Sequence, residues 1–175
     1  MRKVLLLVMA VVPLTLLFGV TPALAAGTTT GFGFVARDIA GFPTGVVALT
    51  GGGAFDPDAG TVHAGGSFRC VEQVNQTPLA GCLAGQGVRW DAESLLAQTN
   101  FKCTGAAAEI LKSAATDEDT VVVRADFYRA GDGNEESFTA NMIVSAVDIA
   151  PEIAGVQDVW IQGVGCDDGL VNVSS

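Results

Sequence analysis

The sequence predicts an all-β protein, a small antiparallel β-barrel with a β-sandwich as the alternative fold and at most one short helix. Three observations carry that expectation. Short runs in which apolar and polar residues alternate recur along the chain, the period-2 pattern of half-buried strands. Clusters of Gly, Asp, Asn and Pro separate them at intervals of about ten residues, as in sandwiches and barrels. The chain also holds 22 glycines, several inside strand-like runs, where glycine marks bulges, sharp bends or close backbone approach. Strands that bend this strongly suit closure into a barrel, which removes the free edges that a small β-protein otherwise has to protect.

The N-terminus reads as a targeting segment. Met1-Arg2-Lys3 is a short basic start, Val4 to Val20 is almost purely apolar, and Ala23-Leu24-Ala25 supplies an A-x-A cleavage site, the three-part layout of a secretory signal peptide. The competing reading is an uncleaved anchor, because Val4 to Val20 sits at the short edge of spanning length, but Pro13 and Gly19 weaken a long helix there. No cysteine adjoins the cut as a lipoprotein needs, and Arg2-Lys3 is not a twin-arginine pair. Residues 1–25 therefore read as a signal peptide and residues 26–175 as a single β-rich domain, secreted, extracellular or held in the cell envelope. Cleavage removes Arg2 and Lys3, two of nine cations, and none of the 19 acids, so the net charge becomes −12 rather than −10. An acidic surface without a basic cluster repels phosphate backbones and anionic lipid, which argues against nucleic-acid and membrane partners.

Taken in order, Ala26 to Thr30 is a small polar lead-in, and Gly31 to Ile39 is a first strand with Phe32, Phe34 and Ala36 on one face and Val35 and Arg37 on the other. Gly41-Phe42-Pro43-Thr44-Gly45 breaks it. Gly45 to Glu72 forms a hairpin around Asp56-Pro57-Asp58-Ala59-Gly60, where proline presets the second turn position, the aspartates accept turn N–H bonds and Gly60 takes a positive φ. Val47, Leu49 and Phe55 before the turn, and Val62, Ala64 and Phe68 after it, mark its apolar face. Cys70 to Gly87 is loop-like, Gly87 to Leu96 and Thr99 to Thr104 are strands, and Ala106 to Ala115 is the helix candidate, since Ala107, Ile110, Leu111 and Ala114 recur at helical spacing. A rival reading makes that stretch a strand that turns at Asp117-Glu118-Asp119 into the next one. Thr120 to Arg129 is the clearest strand, with Val121, Val123, Ala125 and Phe127 facing one way; a turn over residues 130–134 returns it as Ser137 to Val147. Val156 to Val164 and Gly169 to Val173 close the chain, split by Cys166-Asp167-Asp168-Gly169.

All four cysteines lie beyond the signal peptide, and an even number in an exported chain implies two disulfides. Three pairings are possible. Cys70 with Cys82 closes the loop at the end of the hairpin, stabilising by about 3 kcal/mol through loop-closure entropy, and leaves Cys103 with Cys166 to tie the C-terminal strand to the middle of the chain. A zinc site is disfavoured, because the spacings form no CxxC knuckle and His63 is the only histidine.

The runs GFGFVARDIAGFPTGVVALTGGGAFDPDAGTVHAGGSFRC, FRCVEQ, GVRW, NFKCTG, VVVRADFYRAGDG and WIQGVGC resemble a group of small exported bacterial proteins of the actinobacterial type, β-rich and of unknown function. The resemblance spans most of residues 26–175. It implies an exported β-rich protein and carries no activity, cofactor or site residue onto this chain.

Chemistry-bearing residues are sparse. Any Ser-His-Asp or Cys-His mechanism must use His63. Ser67 shares its strand face, but four strand residues part them by about 13 Å; Ser145 is a more distant candidate nucleophile. Short acidic clusters at Asp56 and Asp58, Asp117 to Asp119, Glu135 and Glu136, and Asp167 and Asp168 offer hard oxygen ligands for calcium without matching EF-hand spacing. Trp90, Trp160 and Tyr128 are the aromatic groups a sugar platform would use, although both tryptophans lie in apolar strands. No catalytic residue, metal ligand or cofactor is assigned, and the site residues are the disulfide cysteines Cys70, Cys82, Cys103 and Cys166. The expected role is a non-enzymatic binding or interaction module for a small ligand or a cell-surface partner. The alternative is a small hydrolase or isomerase whose polar residues converge inside the barrel around His63. A sealed apolar interior favours the first, a wet cavity lined by His63, arginine and carboxylates the second.

Overall fold

The computed structural model describes residues 29–129 and 136–174. Among them there is no helix. Eleven strands follow in order: β1 (Thr30–Gly41), β2 (Val46–Asp56), β3 (Thr61–Glu72), β4 (Arg89–Leu95), β5 (Gln98–Phe101), β6 (Lys112–Ala115), β7 (Thr120–Tyr128), β8 (Glu136–Ser145), β9 (Val159–Ile161), β10 (Gly165–Asp167) and β11 (Leu170–Ser174). The main sheet has nine strands, ordered β10-β9-β8-β7-β4-β3-β2-β1-β11, all antiparallel. A further pairing of β1 with β10, Ala40 opposite Cys166 and Gly41 opposite Gly165, closes eight of these strands into a ring. The expected all-β antiparallel class is the one observed, and β5 and β6 form a separate hairpin.

Side-chain alternation explains why the ring holds. Phe32, Phe34, Ala36 and Ile39 of β1, Val47, Leu49 and Phe55 of β2, and Phe68 of β3 all turn inward. Trp90, then Val121, Val123, Ala125 and Phe127 of β7, and Ala140, Met142 and Val144 of β8 complete the same core. A second core lies outside the ring. Phe101, Cys103 and Ala114 of the β5–β6 region pack over Val122, Ile143 and Trp160, so the start of β7 is buried on both faces. That double burial accounts for the unbroken valine run at its start, where a strand wet on one face would alternate.

The turn at Asp56 forms as its residues require: the Asp56 carboxylate accepts the Ala59 N–H at 2.9 Å, and Gly60 has φ 66°. Inner-face glycines serve a different purpose. Gly51 lies opposite Phe34, and a Cβ there would stand 2.7 Å from Trp90 Cζ2 and 2.5 Å from the Gly65 carbonyl oxygen. Its absence admits the Phe34–Trp90 contact, with ring centroids 5.9 Å apart, and lets the Trp90 indole N–H donate to the Thr50 carbonyl at 3.1 Å.

Two expectations need correction. Residues 106–115 are not a helix: Ile110 and Leu111 are 79% and 59% exposed, and Lys112–Ala115 pairs as β6 with β5. The rival reading is the observed one, with the chain reversing through Asp117, whose N–H donates to the Thr120 carbonyl at 3.0 Å. The break near the C-terminus is also shorter than expected. Cys166 and Asp167 belong to β10, and only Asp168-Gly169 separates it from β11. The turn over residues 130–134 lies outside the described residues.

Both disulfides have the expected partners, Cys70 with Cys82 at a Cα separation of 6.2 Å and Cys103 with Cys166 at 4.8 Å. The first holds the loop that follows β3, where Val74 N–H also donates to the Cys82 carbonyl at 3.0 Å. The second fastens the outer layer to the strand that closes the ring.

Candidate functional site

The ring interior is filled by aromatic and aliphatic side chains, so the accessible chemistry lies outside it. One of several surface hollows of similar size is a cleft beside His63. β3 and β4 pair only from Ser67 opposite Arg89 to Gly65 opposite Asp91. Beyond that point the β4–β7 register shifts between Ala92 and Ser94; such a bulge bends its strand and ends pairing, and β4 parts from β3. The opening, about 260 Å³, has Thr61, Val62 and His63 on one wall and Glu93, Ser94 and Leu95 on the other. Through Gly60 and Leu95 it adjoins a second hollow of about 270 Å³ reaching Pro57 and Thr116.

The cleft gathers His63, Ser94 and Glu93, which the sequence alone did not bring together. They do not form a catalytic relay. Glu93 Oε2 accepts Arg124 Nε–H at 2.7 Å, and among the described residues no hydrogen bond joins His63 to Glu93 or Ser94, whereas a base must reach its nucleophile and its orienting partner. Ser67 lies farther along the exposed face of β3, opposite Arg89. Ser145 is remote and fully buried, sharing a 2.9 Å hydrogen bond with Thr120 Oγ1.

The other candidates have structural partners. Trp90 and Trp160 are buried, with the Trp160 indole N–H donating to the Lys102 carbonyl at 2.8 Å. Tyr128 lies under the Arg89 guanidinium, 4.5 Å from its ring centroid. No sugar platform therefore forms from these rings. Asp117 Oδ1 accepts the Asp119 N–H at 3.0 Å, and Asp167 Oδ2 accepts the Asp38 N–H at 3.0 Å beside a hollow of about 250 Å³ lined by Arg37 and Asp168. Glu135 lies outside the described residues and Glu136 belongs to β8. Among the described residues no group of three or more His, Cys, Asp or Glu is placed to hold a metal ion.

Two titrating sites were not legible in the sequence. Burial pushes the Asp158 carboxyl up to about 6; Asp168 and Asp167 add to the rise, and the Gly169 N–H, donating at 2.7 Å, opposes it. At Glu109 burial also acts to raise the value, but the Lys112 ammonium at 2.8 Å, the Thr104 hydroxyl and the N–H groups of Cys103 and Thr104 outweigh it and hold the carboxyl at about 2. Lys112 also reaches Glu152 at 2.7 Å, so this cluster pins the outer layer.

The fold and its surface define a disulfide-bonded, antiparallel β ring with a filled core and its one histidine on the outside. Comparison with protein-family models, curated proteins and solved structures finds no match to this chain.

Proposed function

We propose that residues 26–175 form an exported interaction module that binds a small ligand or cell-surface partner through the outside of the ring. The filled interior carries this reading: Phe34, Phe68, Trp90, Phe127 and Met142 occupy the volume where a luminal substrate would lie. The two disulfides, which leave no free cysteine, suit an oxidising compartment outside the cytoplasm. The basic start, apolar run and A-x-A site at residues 1–25 supply the export route, in keeping with the resemblance to small exported bacterial proteins.

Export is checked by N-terminal sequencing of secreted material, which is expected to begin at Ala26. Function is checked by saturable binding of the labelled mature protein to intact cells, beside a turnover screen with esters, glycosides and isomerisable small molecules. Binding without turnover is expected. An activity that falls by about a hundredfold or more in His63→Gln, the order expected for loss of a general base, at unchanged melting temperature, establishes the hydrolase or isomerase instead.

A further inference from the structure

We propose that β11 is a strap latched in acid: with a proton on the Asp158 carboxyl it lies closed along β1, and once that proton is lost it opens from β1 more readily. The device stands apart from the interaction-module reading and does not depend on it.

The strap is held on one side only. Among the described residues β11 pairs with β1 alone, from Leu170 opposite Val35 to Ser174 opposite Gly31. Val171 and Val173 face the core opposite Phe34 and Phe32 but stay partly buried, and Leu170 is exposed. A strand held by one short ladder and little buried apolar surface opens locally at low free energy. β10, by contrast, pairs on both sides, with β9 and with β1. Movement therefore concentrates at the Asp168-Gly169 break between β10 and β11.

The latch sits at that break. The Gly169 N–H donates to Asp158 Oδ1 at 2.7 Å, and a Cβ on Gly169 would stand 2.8 Å from Val159 Cγ2 and 3.0 Å from Asp158 Oδ1, so the chain entering β11 is pressed against the carboxyl. Asp158 itself is fixed to the ring: its N–H donates to the Asp167 carbonyl at 3.1 Å, and its own carbonyl accepts the Ser145 N–H at 2.9 Å. Closing the strap thus covers a carboxyl that cannot move away. The charges facing it, Asp167 and Asp168, carry its own sign. From β1, the Asp38 N–H is donated to Asp167 Oδ2, and Arg37 lines the hollow beside Asp167 and Asp168 without forming an ion pair among the described residues. From β8 the neighbour is the uncharged Ser145, and the Asp148 carboxylate is engaged by the N–H groups of Ala150 and Gln157. Burial and like charge both penalise an ionised Asp158 under the closed strap, and opening relieves both. The Gly169 bond favours the ionised form but does not reverse the balance. The closed form therefore binds the proton better than the open one, so closure is firmest below about pH 4 and weakens as pH rises through about 6.

The test is amide hydrogen exchange on the secreted protein from pH 5 to pH 8, read as protection factors so that the pH dependence of the exchange chemistry is removed. Protection of β11 amides is expected to fall about tenfold over that range, as one-proton linkage between these values allows, and to depend little on low concentrations of denaturant, the mark of local opening. Amides of β5 and β6, whose opening leaves Asp158 covered, are expected to hold constant protection. Asp158→Asn should flatten the β11 profile. Asp168→Asn, an exposed change that removes one facing charge, should shrink the fall, and it serves as the test if Asp158→Asn does not fold. A β11 profile that is flat in the parent, that keeps its full slope in either variant, or that carries the steep denaturant dependence of β7 overturns the strap.

Discussion

Asp158 is 7% exposed immediately before β9, and its carboxylate spans the Asp168-Gly169 break by accepting the Gly169 N–H. Its folded value of about 6 lies above the ordinary aspartate value of about 3.9, so the native fold takes up the proton first on acidification. The resulting stabilisation is fully present below about pH 4 and is lost as pH rises through about 6, a change of roughly 1–3 kcal/mol. Asp158→Asn keeps an oxygen to accept the Gly169 N–H and removes the buried charge. It is expected to be more stable than the parent at pH 8 and to lose that advantage below pH 4, measured as denaturant midpoints across the range. Identical midpoints at pH 8 would count against a buried charge. Within its own stretch, VQDVWIQ, Asp158 reads as an ordinary polar residue beside Gln157; its environment exists only because β9, β10 and the Asp167-Asp168 pair converge.

At the scale of elements, β2 and the false helix show opposite outcomes of local reading. Glycines inside an alternating strand signal close approach, and Gly51 supplies it: any side chain there meets Trp90 and the Gly65 carbonyl. Gly51→Ala is expected to destabilise by about 1–3 kcal/mol through overpacking, whereas Gly60→Ala, at a site with open space around a positive φ, strains only the turn. Thermal melts of the two variants, with near-ultraviolet circular dichroism reporting Trp90, separate the effects. A Gly51→Ala protein with unchanged melting and tryptophan signal contradicts the close approach. Residues 106–115 misled because Ala107, Ile110, Leu111 and Ala114 repeat at helical spacing without any surface to bury the stripe. Glu109 instead binds the N–H groups of Cys103 and Thr104, Gly105 turns at φ 65°, and Ala114 reaches the outer core as part of β6.

For the whole molecule, the two bridges differ in what they hold. Cys70–Cys82 spans 12 residues and Cys103–Cys166 spans 63, so loop-closure entropy assigns them about 3 and about 4 kcal/mol respectively. The paired Cys103→Ala, Cys166→Ala variant is therefore expected to melt below the Cys70→Ala, Cys82→Ala variant. Its larger loss follows also from placement, since it joins the β5–β6 layer to the strand that closes the ring. Peptide mapping without reductant checks the connectivity first. The reverse order of melting temperatures would show that local packing of the loop after β3, including buried Leu79 and Val74, outweighs the entropy of the longer loop.

The chain's own residues determined the strands, the Asp56–Gly60 reversal and the inward sets of β1, β2 and β7, because alternation and turn chemistry operate within a few neighbouring residues. They also narrowed the disulfides, since a bridge between Cys70 and Cys82 closes a short local loop. Tertiary structure alone decided that β1 meets both β10 and β11, that the β5–β6 layer buries the second face of β7, and that Glu93 and Ser94 stand across a cleft from His63. It likewise paired Arg124 with Glu93. The cleft and the Arg124–Glu93 pair join residues some thirty positions apart, and all these placements follow from where each ladder's register starts, bulges and stops. Register is set by the packing of the whole closed sheet, so it leaves no mark in the short-range pattern of the sequence.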